Sequence, residues 1–241
     1  LQLAVQNVGK GYEGRRVLKN VSFDVDSHEF ICILGHSGCG KSTLLNLIAG
    51  FLQPDSGAIK VNGEPVKGPS KSRGVVFQDH ALFPWFKIID NIAFGPEVQG
   101  KSKTEARQVA HKYLKLVGLE DYAEHLPDQL SGGMKQRVGI ARALASGPDI
   151  LLMDEPFGAL DVLTREMMQK ELLRIWLDLR PSVIFITHSI SEAVYLADRI
   201  MVMKDGEVAG EFRVTMERPR SNQHPEFTGF MHEIQKLLTD E

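Results

Sequence analysis

The sequence predicts an α/β fold: a mainly parallel sheet, an N-terminal antiparallel β subdomain and an inserted α-helical subdomain. Three observations carry the prediction. Short apolar runs alternate with helical periodicity along the 241 residues, the pattern of strands covered by helices. Two of those runs, Ile150–Met153 and Val183–Ile186, are almost unbroken in apolar side chains, as strands buried on both faces require. The stretch from about Phe83 to Gln129 carries helical patterns and no convincing strand.

In chain order, residues 1–30 read as antiparallel β around a turn at Gly11–Gly14, a small sheet beside the main one. Candidate strands are Val21–Val25, Phe30–Leu34, Gly74–Phe77, Ile150–Met153, Val183–Thr187 and Ile200–Met203. A helix is expected over about Lys41–Ala49. A second runs from Ser131 to about Ala145, with Ile140, Ala141 and Leu144 on its inner face. Met168, Leu172, Ile175 and Leu179 recur at helical spacing and predict one buried face. The chain closes on an amphipathic stretch with Phe227, Phe230, Met231, Ile234, Leu237 and Leu238. The organisation expected is a domain over 1–213, with its helical insertion at roughly 83–145, and a helical tail over 214–241.

Composition limits the function classes. Hydrophobic residues make up 43% and charged residues 24%, ordinary for a soluble globular chain. No run approaches the roughly 18 apolar residues of a spanning helix. The N-terminus lacks the basic-then-apolar layout of a secretory signal, and a start at Leu1 is read as a trimmed initiator region. A net charge of −3, with Lys and Arg scattered, argues against nucleic acid as a partner. Cys32 and Cys39 make neither a disulfide framework nor a zinc site, which fits a reducing cytosol.

Gly35-His36-Ser37-Gly38-Cys39-Gly40-Lys41-Ser42 matches G-x-x-x-x-G-K-[ST] between a predicted strand and a predicted helix, the context this P-loop motif requires. Its glycines let backbone N–H groups turn inward around a phosphate, and the helix N-terminus adds partial positive charge. Lys41 is positioned to reach β/γ oxygens and the Ser42 hydroxyl to ligate Mg²⁺. A nucleoside triphosphate is the expected ligand. Further on, strand Ile150–Met153 runs into Asp154-Glu155, delivering two acids at a sheet's carboxyl edge, where ligands bind in α/β folds. Successive side chains face opposite ways, so the two have different tasks: Asp154 organises Mg²⁺, and Glu155 is the base for the attacking water. A solvated acidic turn is the plainer alternative.

Leu130-Ser131-Gly132-Gly133-Met134-Lys135-Gln136-Arg137 resembles the signature of the ABC transporter ATPases. Ser131, Gly132 and Gly133 open a helix and form an anion site there; simple N-capping is the alternative. The resemblance covers residues 1 to about 213 and implies further roles in family order. Tyr12 is similar to the aromatic that stacks on adenine, and Val17 to the aliphatic beside the nucleotide; Thr43 joins the nucleotide contacts. Gln78 resembles the glutamine that senses Mg²⁺ and the membrane partner. Ala159-Leu160-Asp161 resembles the D-loop. His188 resembles the switch histidine at the γ-phosphate, although Ser189 and Glu192 also make a capping-box pattern. Met134 departs from the glutamine commonest at its place.

What the resemblance implies is an ATPase using ATP and Mg²⁺, and a head-to-tail dimer in which each signature closes over the other copy's ATP. It further implies a transmembrane permease, a solute-binding protein and a site at the cytoplasmic face of the membrane. Asp79-His80-Ala81-Leu82-Phe83-Pro84-Trp85 and the Arg218-Pro219-Arg220 and Pro225-Glu226-Phe227 tail are similar to ATPases importing nitrate, taurine, sulfonates and thiamine precursors. Phe83-Pro84-Trp85 suits either a groove for a permease helix or packing within the helical lobe. A soluble, non-transport ABC ATPase is the rival, weakened by the single cassette and the lack of a coiled-coil insertion. A nucleotide kinase would leave Gln78, Asp161 and His188 as coincidences. In the phosphate loop, the helix dipole is one influence expected to lower the Cys39 thiol pKa; a small residue merely tolerated in the loop is the plainer alternative.

Overall fold

The computed structural model describes residues 1–79 and 81–239; His80 lies outside the described residues. The chain divides into two compact units, residues 1–70 with 181–241 and residues 71–180.

In the first unit, strands β1 (Leu3–Tyr12), β2 (Arg15–Val25) and, past β3 (Phe30–Leu34) and helix α1 (Lys41–Ala49), β4 (Ser56–Val61) and β5 (Glu64–Pro65) form an antiparallel sheet ordered β2-β1-β4-β5. Two hairpins in it turn on a residue pair with both φ angles positive, Glu13-Gly14 and Asn62-Gly63. That is the geometry whose twist matches the flanking strands. The sequence reading stopped this subdomain at residue 30 and so missed β4.

The second unit begins with β6 (Arg73–Val76) and continues through α2 (Ile88–Val98), α3 (Lys103–Leu116), two short 3-10 turns and α4 (Gly132–Ala145). It ends with β7 (Ile150–Asp154) and α5 (Val162–Leu179). β6 pairs with β7 in parallel, and α2, α3 and α4 pack on one another. On α5, Met168, Leu172 and Ile175 are buried as expected, but Leu179 is exposed, and Leu173 and Trp176 complete the face instead. The helix ends at Arg180, in left-handed backbone with its guanidinium 4.4 Å from the Trp176 ring centroid.

The chain returns to the first unit with β8 (Ser182–Thr187), α6 (Ile190–Leu196), β9 (Arg199–Lys204), β10 (Glu207–Arg213) and α7 (Pro225–Thr239). Here β3 is flanked in parallel by β8 and β9, and β10 pairs antiparallel with β9 across an Asp205-Gly206 turn. Every side chain of β3 is buried, as a central parallel strand demands. β10, missed in the sequence, is exposed on alternate positions and half-buried on the others, and its run is interrupted by Gly210. Residues 214–220 are tied down by Arg220, whose buried guanidinium donates to the carbonyls of Val194, Ala197, Val214 and Met216. Burial pulls this guanidinium down to about 10, still protonated at neutral pH. Among the described residues, no helix is long and apolar enough to cross a membrane.

Candidate active site

In the first unit, β3 delivers the chain into the Gly35–Ser42 loop, and α1 starts directly after it. Gly35 is buried: a Cβ there would lie 2.4 Å from the Met203 carbonyl oxygen and 2.7 Å from Cys39 Sγ. Gly38 sits at φ 82° with nothing within 4 Å of its Cβ position, so the loop turns in left-handed backbone and leaves its outer side open. Lys41 is buried and folds back across the loop, its Nζ donating to the carbonyls of Gly35 at 2.8 Å and His36 at 2.9 Å. The ammonium thus lies over the concavity that backbone amides and helix start make attractive to an anion. His36, Ser37 and Ser42 are exposed and Thr43 half-buried.

Val17, His36, Ser37, Gly38 and Cys39 line an open pocket of about 610 Å³ whose rim carries Arg15 and Arg16. Those arginines suit a polyanion and lay outside any motif the sequence offered. Tyr12 ends β1, 44% exposed. Lys10 Nζ lies 5.8 Å from its ring centroid and is held by the Asp55 carboxylate at 2.6 Å, which also accepts from Gly11 N–H. Bonding to Lys10 and Gly11 holds Asp55 below the usual carboxylate range.

Cys39 overturns one expectation. Burial pushes its thiol up, and the Lys41 ammonium opposes this only in part. Desolvation of a thiolate in this tight turn outweighs the field of the helix start.

His188 follows β8, exposed, in a two-residue connection to α6. Ser189 caps that helix, accepting from Glu192 N–H at 3.3 Å. The Glu192 carboxylate turns instead to Thr187, accepting its hydroxyl at 2.6 Å. The expected capping box is therefore half formed.

In the second unit, β7 ends at Asp154, and Glu155 follows at φ 42°. A non-glycine residue there is held against its preference, a condition concentrated at functional sites. The Glu155 carbonyl accepts from Gly158 N–H at 3.0 Å. The Gln78 amide reaches the same turn, its Nε2 3.3 Å from where a Gly158 Cβ would sit. Gln78, Glu155 and the following loop are thus brought together within this unit.

The same unit joins two segments that the sequence treated separately. Ser131 caps α4 by accepting from Met134 N–H at 3.3 Å, and Ser131 and Gly132 are exposed at the helix tip. Beside them, Leu160 lies 3.7 Å from the Gly132 Cβ position, and Thr164 Cγ2 lies 3.0 Å from that of Gly133. Asp161 caps α5, accepting from Thr164 N–H at 3.1 Å and from its hydroxyl at 2.6 Å. The Thr164 bonds hold the Asp161 carboxyl below its usual range.

The Phe83–Trp85 run divides between its two readings. The Phe83 ring packs on Phe86 and Phe94 at 5.4 and 4.9 Å, under Arg142, while Trp85 is 71% exposed.

The model for the ABC transporter family matches residues 18–158. The nitrate import ATP-binding protein NrtD of Synechococcus elongatus is 49% identical, over 90% of this chain and 82% of its own. The taurine import ATP-binding protein TauB of Yersinia pestis is 50% identical, over 85% and 80%. Among solved structures, the dimeric ATP-binding cassette MJ0796, in a post-hydrolysis state bound to ADP and Pi, has a TM-score of 0.78 at 35% identity. It aligns over 89% of this chain and all of that one. The α/β architecture with its antiparallel sheet and its helices is that of such cassettes. The chain belongs to the ABC transporter family, as one of its ATP-hydrolysing cassettes.

Proposed function

We propose that this ATPase powers import of a small anionic solute, of the nitrate, sulfonate or taurine type, through a separate transmembrane permease. The observation that carries the reading is the phosphate loop, open on its outer side at Gly38 and spanned by the buried Lys41. Relatives that import nitrate and taurine support the direction and the solute class; they do not favour the soluble alternative. A solute-binding protein completes the system, and the chain works at the cytoplasmic face of the membrane. The domain over 1–213 is the motor, with its helical insertion at roughly 83–145 and its tail at 214–241.

Individual roles are those the family resemblance implies, each compatible with the chemistry of its residue. Tyr12 stacks on adenine, and Val17 packs beside the nucleotide. Gly35 to Thr43 cradle the phosphates, with Lys41 countering their charge. Among the described residues no three His, Cys, Asp or Glu could hold a metal together. Mg²⁺ bound to phosphates keeps several of its waters and needs no cage of carboxylates, so the Ser42 hydroxyl is assigned to it directly, Asp154 through a water, and Gln78 to the same ion. That ion neutralises charge on the phosphates. Glu155 orients and deprotonates the attacking water, and His188 donates to the γ-phosphate. Ser131, Gly132 and Gly133 present a second anion-binding helix tip, and Asp161 lies beside it. A dimeric neighbour bound to ADP and Pi supports self-association; in the proposed dimer this tip closes on the ATP of a second copy, head to tail. Trp85, exposed beside a packed aromatic cluster, is the anchor for the permease.

The test is reconstitution with a candidate permease, in vesicles given labelled nitrate or taurine. ATP-dependent uptake that Lys41→Ala abolishes is the expected result. ATP hydrolysis by a chain that associates with no membrane protein contradicts it.

A further inference from the structure

We propose that Glu192 is a positioning residue for His188, acting through the Thr187 hydroxyl; this rests on the assignment of His188 to the γ-phosphate. Thr187 and Glu192 are both buried, at 2% and 5% exposure. The Thr187 hydroxyl donates to the Glu192 carboxylate at 2.6 Å and accepts from Ser189 N–H at 3.0 Å. One side chain before His188 is thereby bonded both to the residue after it and to the first turn of α6. A short O–H···O⁻ bond in a dry setting is stiff and directional.

A cap alone does not account for the carboxylate. Ser189 already accepts from Glu192 N–H, and burying a carboxylate costs desolvation unless bonds compensate it. The other end of α6 is fixed too. Arg220 donates to Val194 and Ala197 carbonyls at 2.7 and 2.6 Å, and Arg218 to that of Leu196. Cations at a helix C-terminus match its dipole. With α6 held at both ends, the Glu192 carboxylate is a fixed reference, and the exposed His188 side chain hangs from a turn tied to it. Glu192 touches no substrate; it sets where His188 sits.

The experiment is single-turnover ATP hydrolysis by the full chain, with enzyme in excess so that slow variants are read. Thr187→Val removes the hydroxyl at nearly constant volume. Its rate at saturating ATP should fall about ten- to a hundredfold, with half-saturating ATP unchanged within about twofold, and Thr187→Ser should recover most of the loss. On a His188→Ala background, Thr187→Val should cost nothing further, since both act through one group. A wild-type rate for Thr187→Val, a serine variant as slow as the valine, or losses that multiply with His188→Ala would each overturn the proposal. A wild-type rate for His188→Ala alone removes the underlying assignment instead, and the proposal with it. Should Thr187→Val not fold, Glu192→Gln keeps an oxygen acceptor without the charge and is judged by the same non-additivity.

Discussion

Two glycines in one loop should fail in different ways when a methyl group is added. At Gly35 the new Cβ would lie 2.4 Å from the Met203 carbonyl oxygen, and that oxygen belongs to backbone in β9, which cannot swing aside. Overpacking of this kind costs about 3 kcal/mol, or about 6–12 °C of melting temperature for a chain of this size. At Gly38 nothing lies within 4 Å, so only left-handed backbone opposes alanine, at about 1–2 kcal/mol. Its methyl group, however, projects into the open pocket that Gly38 lines. Saturating ATP at about a hundred times its dissociation constant stabilises the wild type by about 2.7 kcal/mol. The assay is thermal melting with and without MgATP. Gly35→Ala should melt far lower without nucleotide, whereas Gly38→Ala should lose a few degrees and most of the ATP-induced shift. A Gly38→Ala chain with the full ATP shift, or a Gly35→Ala chain melting like the wild type, would refute the reasoning.

Asn91 is fully buried and bonds to Phe83 N–H and to the carbonyls of Phe83, Phe86 and Lys87. Asn91→Ala should cost about 2–4 kcal/mol in urea unfolding and speed proteolysis near Trp85; a change under about 0.5 kcal/mol counts against that role. Because burial raises the Cys39 thiol, less of it is thiolate at pH 7.5 than in a free cysteine. Iodoacetamide should therefore label it slowly, about tenfold faster per pH unit up to and beyond pH 9, and MgATP should slow labelling further. Labelling at the free-thiol rate at pH 7.5 contradicts the burial argument.

Local patterns carried much of the fold. Phe30–Leu34 and Lys41–Ala49 are recovered to the residue, because an unbroken apolar run followed by a glycine loop leaves few other conformations. Ser56–Val61, inside its sheet, and Glu207–Arg213, at the edge of its own, are not legible in the sequence because half-exposed strands are set by their neighbours more than by their own composition. Leu179 followed the helical period but lies where α5 reaches solvent, a tertiary fact that spacing cannot encode. Of the site, the linear motifs were legible, since each occupies consecutive residues. Contacts that cross the sequence were not: Asp55 on Lys10, Leu160 beside Gly132, and Arg220 beneath α6 depend on the fold. Cys39 shows the limit most directly, because the helix start was visible in the sequence while the Gly35 and Met203 backbone packed near it was not.

A nucleotide shared between two copies is tested most directly by light scattering of Glu155→Gln. With the proposed base removed, the 26.9 kDa chain should bind ATP, turn over very slowly and double in mass only when ATP is present. Adding Ser131→Arg should leave ATP on the Lys41 loop and prevent the doubling. A mass that stays monomeric at saturating ATP, or a dimer indifferent to Ser131→Arg, would contradict it.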